Sequence, residues 1–179
     1  IFVDIGIGKN AFLRRKDLLN EKRFPTEGSP ILAQVIKSDT DMKGALITEK
    51  ISMFGKYAVT LSGTGYIGVS KKIRQESVRK RLKEIGKEIC AEHMGLIIRT
   101  AAENADMDEF RKDITRLKEN WDIIQKRFRM EKSPTLLYRE SDIIVKALRD
   151  YVNKGTEILI TDNRKIYERI CKLNESEHT

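Results

Sequence analysis

The chain has 179 residues, 40% of them hydrophobic, enough to bury one sizeable core or two small ones. Its 35 Lys and Arg against 27 Asp and Glu give a net charge of +8, a balance that favours a polyanionic partner through counterion release. No apolar run approaches the roughly 20 residues of a membrane span, which argues against a membrane-spanning helix, and no signal peptide is visible.

The first third reads as β. Short apolar or alternating runs at Ile1–Ile5, Asn10–Leu13, Ile31–Ile36, Gly44–Thr48 and Tyr57–Leu61 are punctuated by Gly, Pro, Asp and Asn. A short helix is expected from Arg15 to Glu21, before Pro25. Strands at this spacing predict a small barrel or meander. The chain opens on Ile1 within a strand-like run, so it is expected to be a piece of something longer.

From about Val69 the texture becomes helix–strand alternation. Val78, Leu82, Ile85 and Ile89 recur on one helical face, and Leu96 to Thr100 reads as a strand. Asp106 and Glu109 make a D-x-x-E capping signal, followed by an apolar stripe through Met107, Phe110, Ile114, Leu117, Trp121, Ile124 and Phe128. After Pro134 come an expected strand Thr135–Tyr138, a helix from Asp142 to Val152, a strand Glu157–Thr161 and a helix over Ile166, Ile170 and Leu173. Cys90 and Cys171 have no C-x-x-C partner, and only His93 and His178 accompany them, a set that fits buried free thiols in a reducing cytoplasm better than zinc.

Four features bear on chemistry, each with a plain structural reading beside it. Gly63-Thr64-Gly65-Tyr66-Ile67-Gly68 matches the G-x-G-x-x-G dinucleotide fingerprint, and Arg99 falls where an NADP 2′-phosphate would be read. Against it, Val59 to Arg99 spans 40 residues, about ten more than the usual unit, no helix start is evident at Gly68, and too few strands remain; a glycine-rich loop is the simpler reading. Between Lys71 and Glu88, eight cations face three glutamates, a local net of +5, which is either a solvated helix face or a backbone-tracking surface. Arg99 and Thr100 close an apolar strand ahead of a capped helix, where a guanidinium fork and a hydroxyl suit a phosphate; a salt bridge to a nearby carboxylate is the equal alternative. Phe2, Phe12 and Lys43 fit an aromatic and cationic platform for bases and phosphate, or, for the two phenylalanines, a core.

Taken in order, the segments Ile1–Gly6, Asn10–Leu13, Lys43–Thr48, Ser52–Tyr57, Gly63–Ile73, Met94–Ala101 and Glu140–Val145 resemble the ribonuclease E/G family along nearly the whole chain. The resemblance implies an α+β protein. Residues 1–51 would form an OB-type RNA-binding barrel lacking its first strand, residues 52–134 a 5′-sensor, and residues 135–179 part of a ribonuclease-H-like subdomain. By the same resemblance Phe2, Phe12 and Lys43 would bind single-stranded RNA, and Arg99 and Thr100, with Gly55 and Val59, would seat a 5′-monophosphate. The loop around Gly63 is shorter than the common family form. The family's magnesium-binding catalytic aspartates and its paired-cysteine zinc link fall beyond Thr179, so no catalytic or metal-binding residue is expected within the chain. The full protein would be a cytoplasmic, homo-oligomeric, single-strand-specific endoribonuclease; a non-catalytic RNA-binding protein and an NADP-binding domain are the other classes.

Overall fold

A computed structural model describes residues 1–90, 94–140, 142–152 and 155–177, the last four of these by backbone only. His93 and His178, weighed above as metal ligands, and Ser141 lie outside the described residues. The protein is α+β, with two four-stranded mixed sheets and four α-helices among the described residues. The chain divides into two compact units, Ile1–Tyr138 and Arg139–Thr179.

The first sheet has the order β1 (Phe2–Val3), β2 (Ala11–Leu13), β4 (Leu46–Thr48), β3 (Gln34–Lys37). Its alternation sets its faces: Ala11, Leu13 and Ile47 point into a small core with Leu18 and Ala45, and Phe12 points out. This sheet is open where a barrel was expected. At two residues, β1 is too short to build a second ladder and pairs only with β2. The expected helix from Arg15 to Glu21 shrinks to one 3-10 turn, Arg15–Asp17, after which Leu18 is fully buried.

The second sheet carries the four residues expected to seat a 5′-phosphate or adjoins them. Its order is β5 (Ser52–Phe54), β6 (Ala58–Ser62), β8 (Met94–Ile98), β7 (Ile67–Val69). β6 runs antiparallel to both β5 and β8, whereas β7 runs parallel to β8, with α1 (Glu76–Ile89) as the crossover between those two. On one face Leu82 and Ile85 of α1, and Phe110, Ile114 and Leu117 of α2 (Met107–Met130), join Ala58, Leu96 and Ile98 in the main core. Phe110 alone, fully buried, stabilises this packing by about 1.5–3 kcal/mol. The capping signal holds: the Asp106 carboxylate accepts the backbone N–H groups of Asp108 (2.8 Å) and Glu109 (3.3 Å).

The strands expected at Thr135–Tyr138 and Glu157–Thr161 do not form. Both are largely apolar in sequence, but a strand exists only through a ladder, and neither segment has one among the described residues; Leu136, Ile158 and Ile160 stay exposed. In the second unit α3 (Ile143–Tyr151) is capped by Asp142, which accepts the N–H groups of Ile144 and Val145 and pairs with Arg169 of α4 (Arg164–Glu177). No helix among the described residues is long and apolar enough to cross a membrane.

Candidate nucleic-acid interface

The geometry starts from the turn between β5 and β6. Gly55 N–H donates to the Ala58 carbonyl (2.8 Å), closing a tight hairpin over Gly55, Lys56 and Tyr57. Two side chains grip it from opposite chemical sides. The buried Asp113 carboxylate of α2 accepts the N–H groups of Lys56 (3.2 Å) and Tyr57 (2.8 Å), and is itself held by Arg116 (3.0 Å). From the end of β8, Arg99 Nη1 donates to the carbonyls of Gly55 (2.9 Å) and Lys56 (3.3 Å). The turn thus anchors the Arg99 head group, and the residue as a whole is half-buried at the end of β8.

Gly55 is glycine because of that carboxylate. A Cβ there would lie 2.3 Å from Asp113 Oδ2 and 2.7 Å from Oδ1, a contact no side chain tolerates. Beside the turn, Tyr57 Oη donates to Glu109 (2.6 Å); burial first, then this hydrogen bond to a carboxylate, pushes the Tyr57 hydroxyl well above its ordinary range.

Because β7 and β8 are parallel, their carboxyl ends lie side by side, the edge where α/β units bind ligands. Ser70 follows β7 and Thr100 follows Arg99, and their hydroxyl oxygens are 3.0 Å apart. Ser70 is fixed from behind: its N–H donates to the Ile98 carbonyl, and Arg79 of α1 reaches back to the carbonyls of Ser70 (2.7 Å) and Ile73 (2.9 Å). Arg79 is therefore a structural tie rather than part of a free basic face. The exposed cations nearest this edge in sequence are Lys71, Lys72 and Arg74.

Among the 5′-phosphate candidates, Arg99 and Gly55 are in direct contact, and Thr100 is exposed next to Ser70. Val59 lies on β6 opposite Ile97, on the face turned from the helices. Sequence reasoning missed Ser70 and Asp113. The signal for Ser70 is a hydroxyl closing a strand ahead of three cations, but that strand is only three residues long and overlaps the glycine-rich run, which hides it. Gly68 sits inside β7, and α1 starts only at Glu76, so the helix N-terminus a dinucleotide fingerprint needs at its last glycine does not occur there.

The RNA-binding candidates lie on the first sheet. Phe2 and Phe12 are cross-strand partners with ring centroids 5.5 Å apart, and are 73% and 42% exposed, so they are surface aromatics rather than core. Phe12 in turn neighbours Leu46, and Leu46 neighbours Lys37, giving one outward row across all four strands. Lys43 is exposed on the β3–β4 connection, which backbone bonds between Thr40 and Lys43 close and which Lys9 Nζ clamps through the carbonyls of Thr40 (3.0 Å) and Asp41 (2.8 Å).

Comparison with known proteins decides what this arrangement belongs to. A model of the ribonuclease E/G family matches residues 52–179. The chain belongs to the ribonuclease E/G family. It is 33% identical to ribonuclease G of Escherichia coli (strain K12) over 188 residues, covering 96% of this chain and 38% of that protein. It is 32% identical to the ribonuclease E of Buchnera aphidicola subsp. Schizaphis graminum, covering 94% of the chain and 19% of that relative, and 32% identical to a putative ribonuclease E of Buchnera aphidicola subsp. Baizongia pistaciae, covering 93% and 44%. The chain thus spans less than half the length of each of these ribonuclease E/G relatives. Among its described residues no group of three or more His, Cys, Asp and Glu side chains is arranged to hold a metal ion.

Proposed function

We propose that this chain is the RNA-binding and 5′-end-sensing portion of a single-strand-specific endoribonuclease that processes and degrades RNA. Arg99 and Thr100, with the Gly55 turn and Val59, seat the 5′-monophosphate; Phe2, Phe12 and Lys43 hold the strand by stacking and charge. The observation that carries this reading is the carboxyl end of β8, where the Arg99 guanidinium is oriented by two turn carbonyls and the next residue, Thr100, has its hydroxyl oxygen 3.0 Å from that of Ser70 beyond β7. An arginine already fixed in place loses little side-chain entropy on binding a phosphate.

In this reading residues 1–51 are an opened OB-type module, 52–134 the sensor, and 135–179 part of a ribonuclease-H-like subdomain whose unpaired extended segments find their ladders in the rest of the protein. The bond-breaking step is assigned to magnesium held by carboxylates outside this chain, in a cytoplasmic homo-oligomer. Net charge supplies general affinity, and the sensor supplies preference between ends.

The test is binding of matched single-stranded RNAs bearing a 5′-monophosphate or a 5′-hydroxyl. Arg99→Ala is expected to bring the first down to the affinity of the second and to leave the second nearly unchanged. Equal loss on both RNAs would refute a sensor role.

A further inference from the structure

The glycine-rich loop Gly63–Tyr66 joins β6 to β7. It crosses the outer face of the second sheet: a Cβ on Gly95 of β8 would lie 2.7 Å from Thr64 Cγ2 and 3.1 Å from the backbone oxygens of Thr64 and Tyr66. The crossing is fixed, because Leu96 N–H donates to the Tyr66 carbonyl (2.8 Å) and Thr64 Oγ1 accepts the Tyr66 N–H (3.1 Å). The chain then enters β7, and the Tyr66 ring lies over Gly68, where a Cβ would come within 2.7 Å of Tyr66 Cε1. Glycine at both points lets an aromatic ring lie down on the sheet.

Its neighbours across the strands are apolar and open. Gly68 is in register with Ile97, Ile97 with Val59, and Val59 with Phe54. Tyr66 is 61% exposed and Ile97 39%, on the face opposite the one that α1 and α2 cover. Two residues beyond Gly68, about 7 Å at strand rise, Ser70 follows the end of β7 and its hydroxyl meets that of Thr100, the residue after Arg99. The Ser70–Thr100 hydroxyl pair and the strand position beneath the ring are thus about the span of one nucleotide apart. The chemistry changes over that span from donors to an apolar surface rimmed by aromatic carbon, as it does from a phosphate to its base. The three exposed cations Lys71, Lys72 and Arg74 at the same end favour a polyanion over an apolar peptide as the occupant.

We propose that Tyr66, with Ile97 and Val59, forms the shelf on which the first base of the RNA stacks while its 5′-phosphate is held at Arg99 and Thr100. The inference rests on the phosphate seat proposed above and adds a residue that reads the base end of the same nucleotide. Stacking is available to every base, so the shelf raises affinity for a 5′-nucleotide without demanding one sequence.

The experiment uses the full-length protein and a 5′-monophosphorylated single-stranded RNA with 2-aminopurine at position one, beside the same RNA with an abasic first position. Binding is expected to quench the 2-aminopurine. Tyr66→Ala is expected to abolish the quenching and weaken this RNA about 5- to 100-fold, with the abasic RNA unchanged; Tyr66→Phe should retain wild-type behaviour. Gly68→Ala, which displaces the ring from below, should reproduce Tyr66→Ala, and an unchanged Tm for each variant separates these effects from unfolding. Equal losses on the base-bearing and abasic RNAs, or no loss on either, overturn the shelf. The unmodified protein's preference for 5′-monophosphate over 5′-hydroxyl reports separately on the seat: if it is present while Tyr66→Ala is silent, only the shelf is wrong, and if it is absent, the seat is.

Discussion

Gly55→Ala tests whether the β5–β6 turn is held from α2, the arrangement on which the position of Arg99 depends. The new methyl would stand 2.3 Å and 2.7 Å from the Asp113 carboxylate oxygens and 2.8 Å from its carbon, so the carboxylate must withdraw. Withdrawal breaks its bonds to the Lys56 and Tyr57 N–H groups, one of them in the buried interior. Hydrogen bonds to a charged group contribute about 1.5–3 kcal/mol each, and partial relaxation keeps the total below their sum, so the loss is about 2–4 kcal/mol. For a chain of this length that lowers Tm by roughly 5–15 °C. The decisive assay is a double-mutant cycle by denaturant unfolding with Asp113→Ala. Because one substitution acts by displacing the partner that the other deletes, the pair must be non-additive by at least about 1 kcal/mol. Additive costs, or a Gly55→Ala variant as stable as the parent, would refute the account of this glycine. If the turn is what orients Arg99, Gly55→Ala also reduces the preference for 5′-monophosphorylated RNA.

Three further outcomes follow from the geometry. Tyr57→Phe removes the hydroxyl bonded to Glu109 and should cost about 1–2 kcal/mol at neutral pH by denaturant unfolding. Since the folded hydroxyl titrates above its unfolded value of about 10, the parent is fully stabilised below that pH and loses stability as pH rises through the window above it; the variant should lack this fall. Burial pushes the Cys90 thiol up to about 11, so at pH 8 it should be alkylated roughly a hundredfold more slowly than in the unfolded chain, as followed by mass spectrometry. Replacing Lys71, Lys72 and Arg74 together by Gln should weaken single-stranded RNA of either 5′-end chemistry alike and reduce the slope of log affinity against log salt by about 2, if each meets one phosphate.

The elements legible in the sequence were those whose cause is local. The stripe from Met107 to Phe128 and the Asp106 cap are intrinsic to one helix, and α2 forms over Met107–Met130 with that cap intact. Likewise the Val78–Ile89 periodicity yields α1 with Leu82 and Ile85 buried. What was illegible depends on partners distant in sequence. β7 is three residues with a glycine at its centre, and it is a strand because β8, across α1, supplies a parallel ladder. Thr135–Tyr138 has the composition of a better strand and forms none, for want of that ladder. The site divides in the same way. Arg99 and Thr100 stood out because they close an apolar run, whereas Asp113 looks like any polar residue on a long helix until the β5–β6 turn is folded against it.

The same contacts explain why a lysine at position 99 would fail, a point that composition cannot reach. Arg99 has two tasks that compete for one side chain: Nη1 is committed to the carbonyls of Gly55 and Lys56, and the proposed phosphate needs donors as well. A guanidinium carries five N–H donors in a fixed plane, so anchoring one nitrogen fixes the plane of the whole fork; an ammonium that met the two carbonyls would have no such fixed orientation. Arg99→Lys therefore keeps the charge and part of the turn contact but loses the aim. The expected result is near-parental stability and salt dependence with a preference for 5′-monophosphate reduced almost to that of Arg99→Ala. Full retention of the preference by Arg99→Lys would mean that charge alone, and not the orientation imposed by the turn, selects the RNA end.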